Sequence, residues 1–410
     1  MMTYGLLGEK LGHSYSKPIH EALGRYSYEL YPVSREALSD LLQRREFKGL
    51  NVTIPYKRDV LPYCDHLSGE VQAVGSANTL VARNGQIWAY NTDIGGFTSL
   101  SLRLGVDAVG RKAAVLGSGG ASRSAVYALH KMGAREVIVV SRKGPVDYEA
   151  LYRSHADAEI LVNATPVGMY PDTLVSPVSL DRLPRLKWVL DMIYNPARTR
   201  LLLDAEKRGI PCQNGLWMLV AQAMEAAEHF TGERVPPEKT EEIYRRLQRD
   251  MLNVILIGMP GCGKTTLGRA LARDMGRPFI DCDREIEART GETPEAIINA
   301  RGEAAFRQVE TEVLKDICKG SGQVVATGGG AVTVPQNQDI LRQNGVILHI
   351  QRPLPLLATE GRPLSARLEA LEKARMPLYT AWAQAQISNT SDTESAVRAA
   401  REAYHEAVGD

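Results

Sequence analysis

Two glycine-rich turns in this chain are built for different phosphates. Val115-Leu116-Gly117-Ser118-Gly119-Gly120-Ala121-Ser122-Arg123 offers backbone amides and no lysine, whereas Ile257-Gly258-Met259-Pro260-Gly261-Cys262-Gly263-Lys264-Thr265-Thr266 adds a lysine followed directly by two threonines. In the first, Gly117 allows a tight turn and Gly119 lets the backbone approach a pyrophosphate, an arrangement that holds a dinucleotide. Ser122 stands where that pattern usually has its third glycine. In the second, the spacing Gly258-x-x-x-x-Gly263-Lys264-Thr265 is a full triphosphate loop. Its amides cradle phosphates, Lys264 reaches the β- and γ-phosphates, and the Thr265 hydroxyl suits Mg2+. Cys262 reads as a small filler within it. The loops lie about 140 residues apart, too far to serve one nucleotide and suited to one loop in each of two compact domains.

Other residues carry the rest of the chemistry. Leu11–Pro18, Gly49–Lys57, Gly75–Leu80 and Asn91-Thr92-Asp93 are rich in small hydroxyls and amides, which recognise a polyhydroxylated ligand by hydrogen bonds. Lys57 and Asp93 supply the ionisable pair that ketone–alcohol interconversion needs for proton delivery. After Val140 come Ser141-Arg142-Lys143, where an NAD enzyme puts an acid to hold the ribose; two cations there favour the 2′-phosphate of NADP. In the second half, Asp281-Cys282-Asp283, Phe306-Arg307-x-x-Glu310, Gly328-Gly329-Gly330, Arg362-Pro363-Leu364 and Arg375-x-Pro377-x-Tyr379 follow in order. Arginines and a glycine turn could clamp a small anion while an aspartate receives a hydroxyl hydrogen bond.

These residues must be positioned by alternating strands and helices. Short apolar runs at Ala113–Gly117, Glu136–Val140, Glu159–Asn163 and Trp188–Asp191 alternate with helical stretches, which argues α/β layers with a parallel sheet. Upstream, Tyr4–Gly8, Tyr28–Val33 and Gly49–Thr53 read as strands of a smaller sheet, and 216–230 and Glu238–Asp250 as helices. At about residue 251 the pattern restarts with strand Asn253–Ile257, loop and helix Lys264–Met275, and no Gly/Ser-rich linker separates the halves.

Composition sets outer limits. Forty-nine basic against 48 acidic side chains leave no net field to attract a polyanion, so nucleic-acid binding is disfavoured. Five cysteines without a C-x-x-C pair fit reduced thiols in a cytoplasm better than a disulfide framework or a zinc site. No apolar run reaches the length of a membrane span. The oligomeric state is left open.

With these motifs assembled, residues 1–250 resemble shikimate dehydrogenase. The resemblance rests on G-x-N-V-T-x-P-x-K (Gly49–Lys57), Asn91-Thr92-Asp93, Ala164–Met169, Asp191–Pro196 and Gly215–Gln222. It implies a substrate lobe (1–102 with 216–250) and a Rossmann NADP lobe (103–215). It also implies that Ser14, Ser16, Thr53, Asn78, Asp93, Tyr194 and Gln222 line the shikimate pocket and that Lys57 with Asp93 handles the proton. Gly117, Gly119, Gly120, Arg123, Ser141, Arg142, Lys143 and Thr165 would hold NADP(H). Lys17 intervenes before Pro18, Ile94 replaces a common glycine, and Ser141 stands where asparagine is usual.

Residues 252–410 resemble shikimate kinase, a P-loop fold with a parallel sheet. That resemblance implies that Gly258, Gly261, Cys262, Gly263, Lys264, Thr265, Thr266 and Arg362 bind ATP, and that Thr265 and Asp281 serve Mg2+. Asp283, Arg307, Arg375 and Gly328, Gly329 and Gly330 would hold shikimate, Asp283 orienting or deprotonating its 3-hydroxyl. Arg362 would ride on a lid over about Leu354–Arg367. The product implied by the first resemblance is the substrate implied by the second, which favours a bifunctional enzyme acting on small molecules. The alternatives are a kinase for another small hydroxyl acceptor and one half serving as a non-catalytic binding module.

Overall fold

The computed structural model describes residues 4–12, 14–357, 368–390 and 392–409. The chain divides into two compact units. One comprises Met1–Met169, Val175–Tyr194 and Leu201–Tyr244; the other comprises Tyr170–Leu174, Asn195–Arg200 and Arg245–Asp410. The division falls inside the helix Pro237–Met251, a few residues before the point where the sequence pattern restarts.

Among the described residues the strands form three sheets. The first contains β1 (Tyr4–Gly8), β2 (Glu29–Pro32), β3 (Gly49–Val52), β4 (His66–Leu67), β5 (Thr79–Arg83) and β6 (Gln86–Tyr90), in the order β2-β1-β3-β5-β6-β4. β1 runs parallel to β2 and β3, while β3–β5 and β5–β6 are antiparallel. The sequence reading lacks the β5–β6 hairpin. Its turn is Asn84-Gly85, with φ 52° and 75°, the two positive angles that a two-residue type I′ turn requires. Pairing from Arg83↔Gln86 through Thr79↔Tyr90 brings Asn78 and Asn91, which flank the two strands, to one end of the sheet.

The second sheet holds β7 (Lys112–Leu116), β8 (Glu136–Val140), β9 (Ile160–Asn163), β10 (Trp188–Asp191) and β11 (Cys212–Gln213), all parallel, ordered β11-β10-β9-β7-β8. β7 and β9 are buried along their whole length, as strands covered on both faces are. The chain winds in opposite directions from β7, so the loop after β7 opens at the switch point, where parallel sheets hold ligands.

The third sheet, in the second unit, contains β12 (Asn253–Ile257), β13 (Phe279–Asp281), β14 (Val324–Ala326), β15 (Gly345–Gln351) and β16 (Ala385–Ser388). All are parallel, in the order β13-β14-β12-β15-β16. β12 is central and fully buried, packing Val254, Ile255, Leu256 and Ile257 against Val325, Ile347 and Leu348. Its loop also opens at a reversal of strand order. Beside this sheet the segment Pro294–Ile317 is two helical stretches joined across a kink at Gly302, φ 83°.

The expected strands at Tyr4–Gly8, Glu136–Val140, Trp188–Asp191 and Asn253–Ile257 are present with those ends, and the others differ by a residue at one or both ends. Among the described residues no helix is long and apolar enough to cross a membrane.

Candidate active sites

In the first unit, helix Thr92–Arg103 starts where β6 ends and packs along helix Leu216–Thr231. The helices meet closely at Gly96, where a Cβ would lie 2.8 Å from the Met218 carbonyl oxygen and 2.9 Å from Gln222 Cβ. Glycine there lets Asp93 and Gln222 both line one cleft. The cleft measures about 210 Å³ and is lined by Ser16, Thr53, Lys57, Asn78, Asp93, Tyr194 and Gln222, together with Asn51, Ala121 and Met218 among others. Ser14 stands one step behind this lining, its hydroxyl accepting the Ser16 backbone N–H at 3.2 Å.

Lys57 Nζ donates to Asp93 Oδ2 at 2.6 Å, with the side chains 26% and 12% exposed. Asp93 Oδ1 accepts Asn78 Nδ2 at 2.9 Å, so both carboxylate oxygens are held. Asn78 in turn accepts the Thr92 backbone N–H at 2.8 Å, and Asn78 Nδ2 lies 3.4 Å from Gln222 Oε1. The lysine is thereby fixed at one point while remaining open to the cleft, the disposition a proton carrier needs. Burial raises the Tyr194 hydroxyl pKa, which keeps that group a neutral hydrogen-bonding partner. Asn51 is a lining residue the sequence reading quoted but did not single out. Its carboxamide accepts the Tyr28 hydroxyl at 2.7 Å and donates to Thr79 Oγ1 at 3.1 Å.

The first glycine loop leads from β7 into helix Gly120–Lys131. Gly117 has φ 105°, and a Cβ there would sit 2.9 Å from the Ala164 carbonyl oxygen and 3.1 Å from Thr165 Cγ2. Ser122 is buried and its hydroxyl donates to the Gly117 carbonyl at 2.7 Å. The residue that departs from the glycine pattern thus braces the turn, a buried hydrogen bond worth about 1 kcal/mol. Gly117 N–H donates to Val140 O at 2.8 Å, which brings Ser141, Arg142 and Lys143 to the loop's side. Arg142 and Lys143 are exposed and form no ion pair among the described residues. Thr165 is oriented by Asn163, whose Oδ1 accepts its hydroxyl at 2.7 Å, and Arg123 N–H donates to Gly119 O at 3.2 Å. Ala121, between Gly120 and Ser122, lines the cleft itself, so the loop and the Lys57–Asp93 pair face one space.

The second glycine loop carries its cation within it. Lys264 is 8% exposed and its ammonium donates to the Gly258 and Met259 carbonyls at 2.8 and 3.0 Å. Gly261 and Gly263 take positive φ, 82° and 93°, and Cys262 is wholly buried in the core, as expected of a filler. Thr266 is exposed on the first turn of helix Lys264–Asp274. Thr265 Oγ1 donates to Asp281 Oδ2 at 2.8 Å, and Asp281 also caps the helix bearing Asp283 by accepting its backbone N–H at 3.2 Å. Among the described residues no cluster of three His, Cys, Asp or Glu side chains could hold a metal. One hydroxyl and one carboxylate are nonetheless what Mg2+ takes from protein when phosphates and water complete its shell.

Facing this loop is a cluster of two arginines, two acids and a glycine turn. A Cβ on Gly329 would meet Pro260 of the loop at 2.8 Å, one on Gly328 would collide with Glu310 Oε1, and Gly330 lies against the Arg307 guanidinium. Arg307 Nη1 donates to Glu310 Oε2 at 2.7 Å, and Glu310 is 0% exposed. Burial raises the Glu310 carboxyl pKa, opposed by the charge of Arg307, with Asp283 and Arg375 near enough to contribute. Arg375 is buried, Asp283 is exposed, and the Tyr379 hydroxyl donates to the Gly329 carbonyl. Asp283, Arg307, Arg375 and Gly328–Gly330 are therefore brought together. Glu310 is the organising residue that the sequence reading quoted without a role. Arg362 and most of the expected lid lie outside the described residues.

Comparison with known proteins identifies the family of each half. A family model described as shikimate dehydrogenase substrate binding domain matches residues 6–80, and one described as shikimate 5'-dehydrogenase C-terminal domain matches 215–245. The shikimate kinase model matches residues 260–405. A shikimate dehydrogenase (NADP(+)) of Clostridium perfringens is 35% identical over 268 residues, covering 60% of this chain and 99% of the relative. A shikimate 5-dehydrogenase structure from Thermus thermophilus, in complex with NADP(H) and shikimate, is similar at 34% identity and TM-score 0.54. That match covers 60% of this chain and 99% of that one. A chorismate mutase/shikimate 5-dehydrogenase fusion from Clostridium acetobutylicum is 33% identical with TM-score 0.57, over 60% and 97%.

Proposed function

The chain belongs to the shikimate dehydrogenase family and carries a shikimate kinase domain behind it, a bifunctional enzyme of the shikimate pathway, and from this we propose that it performs two consecutive steps. The first unit reduces 3-dehydroshikimate to shikimate. The second phosphorylates shikimate at its 3-hydroxyl.

In the reduction, NADPH supplies the hydride to the ring carbonyl carbon. Lys57 donates a proton to the carbonyl oxygen as that hydride arrives, which yields the alcohol, and Asp93 holds the ammonium against the cleft throughout. Ser14, Ser16, Thr53, Asn78, Tyr194 and Gln222 bind and orient the ring hydroxyls and carboxylate. Arg142 and Lys143 hold the 2′-phosphate beside the loop Gly117–Gly120, with Arg123, Ser141 and Thr165 around it. The observation that carries the reading is the 2.6 Å Lys57–Asp93 contact within a cleft that the dinucleotide loop also enters.

In the phosphorylation, ATP bound on Gly258–Thr266 supplies the γ-phosphoryl group. Lys264 stabilises the phosphates, Thr265 and Asp281 would hold Mg2+, and Asp283 accepts the 3-hydroxyl proton as that oxygen attacks the γ-phosphorus and the bond to the β-phosphate oxygen breaks, releasing ADP. Arg307 and Arg375 clamp the carboxylate, with Gly328–Gly330 giving the close backbone approach.

Assaying phosphorylation across shikimate, quinate and a set of sugar acids tests the acceptor. Strong preference for shikimate is expected; equal rates across the set would sink the assignment. Exchange of NADPH for NADH in dehydroshikimate reduction tests the cofactor.

A further inference from the structure

One cation beside the triphosphate loop belongs neither to the loop nor to the anion clamp. β15 ends at Gln351 and Arg352 follows directly. Its Nη1 lies 3.8 Å from the position a Cβ would occupy on Gly263, the residue before Lys264. Its Nε is buried and has no hydrogen-bond partner among the described residues, and no carboxylate among them pairs with the guanidinium. A desolvated arginine donor with no protein acceptor is costly to keep, so a group outside the protein is the natural acceptor.

The cavity around it carries polar groups and charges of both signs. Arg352 lines a cavity of about 270 Å³ with Met259 of the loop, His349, Glu372, Ser388 and Thr390. His349 stacks on Tyr379 and its Nδ1 is a second buried polar atom without a partner among the described residues. Burial and the nearby Lys264 hold the His349 pKa at about 4, so the ring is neutral near neutral pH and offers a hydrogen bond without adding charge. Asn389, just past β16, pins the loop by donating to the Cys262 carbonyl at 2.7 Å. Glu372 forms no ion pair among the described residues.

The backbone that carries Arg352 is fixed. β15 is paired on both sides, Ile257↔His349 with β12 and Gln351↔Ser388 with β16, so the arginine leaves the sheet one residue beyond a fixed register. The side chain thus starts from a fixed point, and its planar fork matches phosphate oxygens better than an ammonium does.

We propose that Arg352 is a further nucleotide-contacting residue of the kinase unit, donating to phosphate oxygens of the nucleotide held on the loop Gly258–Thr265 in addition to Lys264. This rests on the triphosphate-loop reading given above. The test is calorimetric titration of the full chain with MgADP and with MgATP, for wild type, Arg352→Ala, Arg352→Gln and Arg352→Lys. Arg352→Ala and Arg352→Gln should each weaken both nucleotides about tenfold to a hundredfold, with Arg352→Lys recovering part of the loss. Shikimate oxidation by the same preparations should stay within about twofold, since the first unit's cleft is a separate site. Unchanged affinity in Arg352→Ala overturns the inference. So does weakening in Arg352→Ala that accompanies a lowered unfolding midpoint while Arg352→Gln, which keeps most of the packing, binds as wild type. A wild-type chain that binds neither nucleotide overturns the underlying reading and the inference with it.

Discussion

In the first unit, the ion pair that the cleft displays is the one assigned the chemistry. Lys57 and Asp93 touch, and both remain partly open to the ligand space. In the second unit the comparable pair, Arg307–Glu310, is turned inward: Glu310 is fully buried, and the residues assigned to the ligand stand in front of it. The glycine loops differ in the same sense. The first borrows cations from the end of the next strand, where Arg142 and Lys143 are exposed; the second contains Lys264, packed onto its own carbonyls. Under the proposed roles, proton transfer, cofactor choice and substrate recognition would fall to separable residues in the first unit. In the second, loop, cation and clamp are interlocked, and a single change there should disturb several properties at once.

The strongest way to break this contrast is Lys57→Ala. If chemistry is separable from binding, kcat for shikimate oxidation falls about 10²–10⁴-fold while KM for NADP stays close to wild type. A parallel rise in both KM values would contradict it. Lys264→Ala should instead lower the phosphorylation rate on the order of a hundredfold to a thousandfold and weaken ATP binding as well, with dehydrogenase activity retained. Loss of both activities would show that the units cannot be treated separately. Replacing Arg142 and Lys143 together by alanine should lower the NADP-over-NAD preference by about tenfold to a hundredfold, read as the ratio of kcat/KM values, with little change for NAD.

Glu310→Gln sharpens the clamp side. Loss of the charge that holds Arg307 should raise the shikimate KM of the kinase by about tenfold, because Arg307 no longer has a fixed position. An unchanged KM would mean that Glu310 serves packing alone.

The smallest effect concerns stability. Glu225 lies one turn beyond Gln222, where burial pushes its carboxyl up to about 7, with Glu228, Glu70 and Asp93 adding repulsion. The folded state keeps a proton that the unfolded chain releases from about pH 4.5 upward, so this group's contribution is full at low pH and is lost as pH rises toward 7. Glu225→Gln should therefore gain on wild type by on the order of 2 kcal/mol between about pH 5 and pH 8, followed by denaturant midpoints of the first unit. A gap that does not change with pH would contradict it.

Much of this was legible in the chain because parallel strands buried on both faces leave continuous apolar runs. β10 and β12 show as such, each ending beside residues to which chemistry is assigned, while the edge strand β8 is only half-buried yet equally apolar in sequence. The β5–β6 hairpin was there to be read as well, in Asn84-Gly85 between two alternating segments, yet its strands are flanked by polar motif residues that draw attention first. Other features depend on contacts that no local pattern carries. Glu310 reads as a solvated helical charge until Arg307 and Arg375 close around it, and Ser122 reads as a missing glycine until its hydroxyl meets the Gly117 carbonyl. The kink at Gly302 is likewise silent in a segment that otherwise scans as one helix.

If the product of one unit is the substrate of the other, a single incubation of the full chain with 3-dehydroshikimate, NADPH, ATP and Mg2+, read by product mass, must show it. NADPH should be consumed and shikimate 3-phosphate should accumulate. Shikimate that accumulates without phosphorylation while ATP stays intact, or a phosphorylated product formed only from another acceptor, would contradict the coupling of the two units.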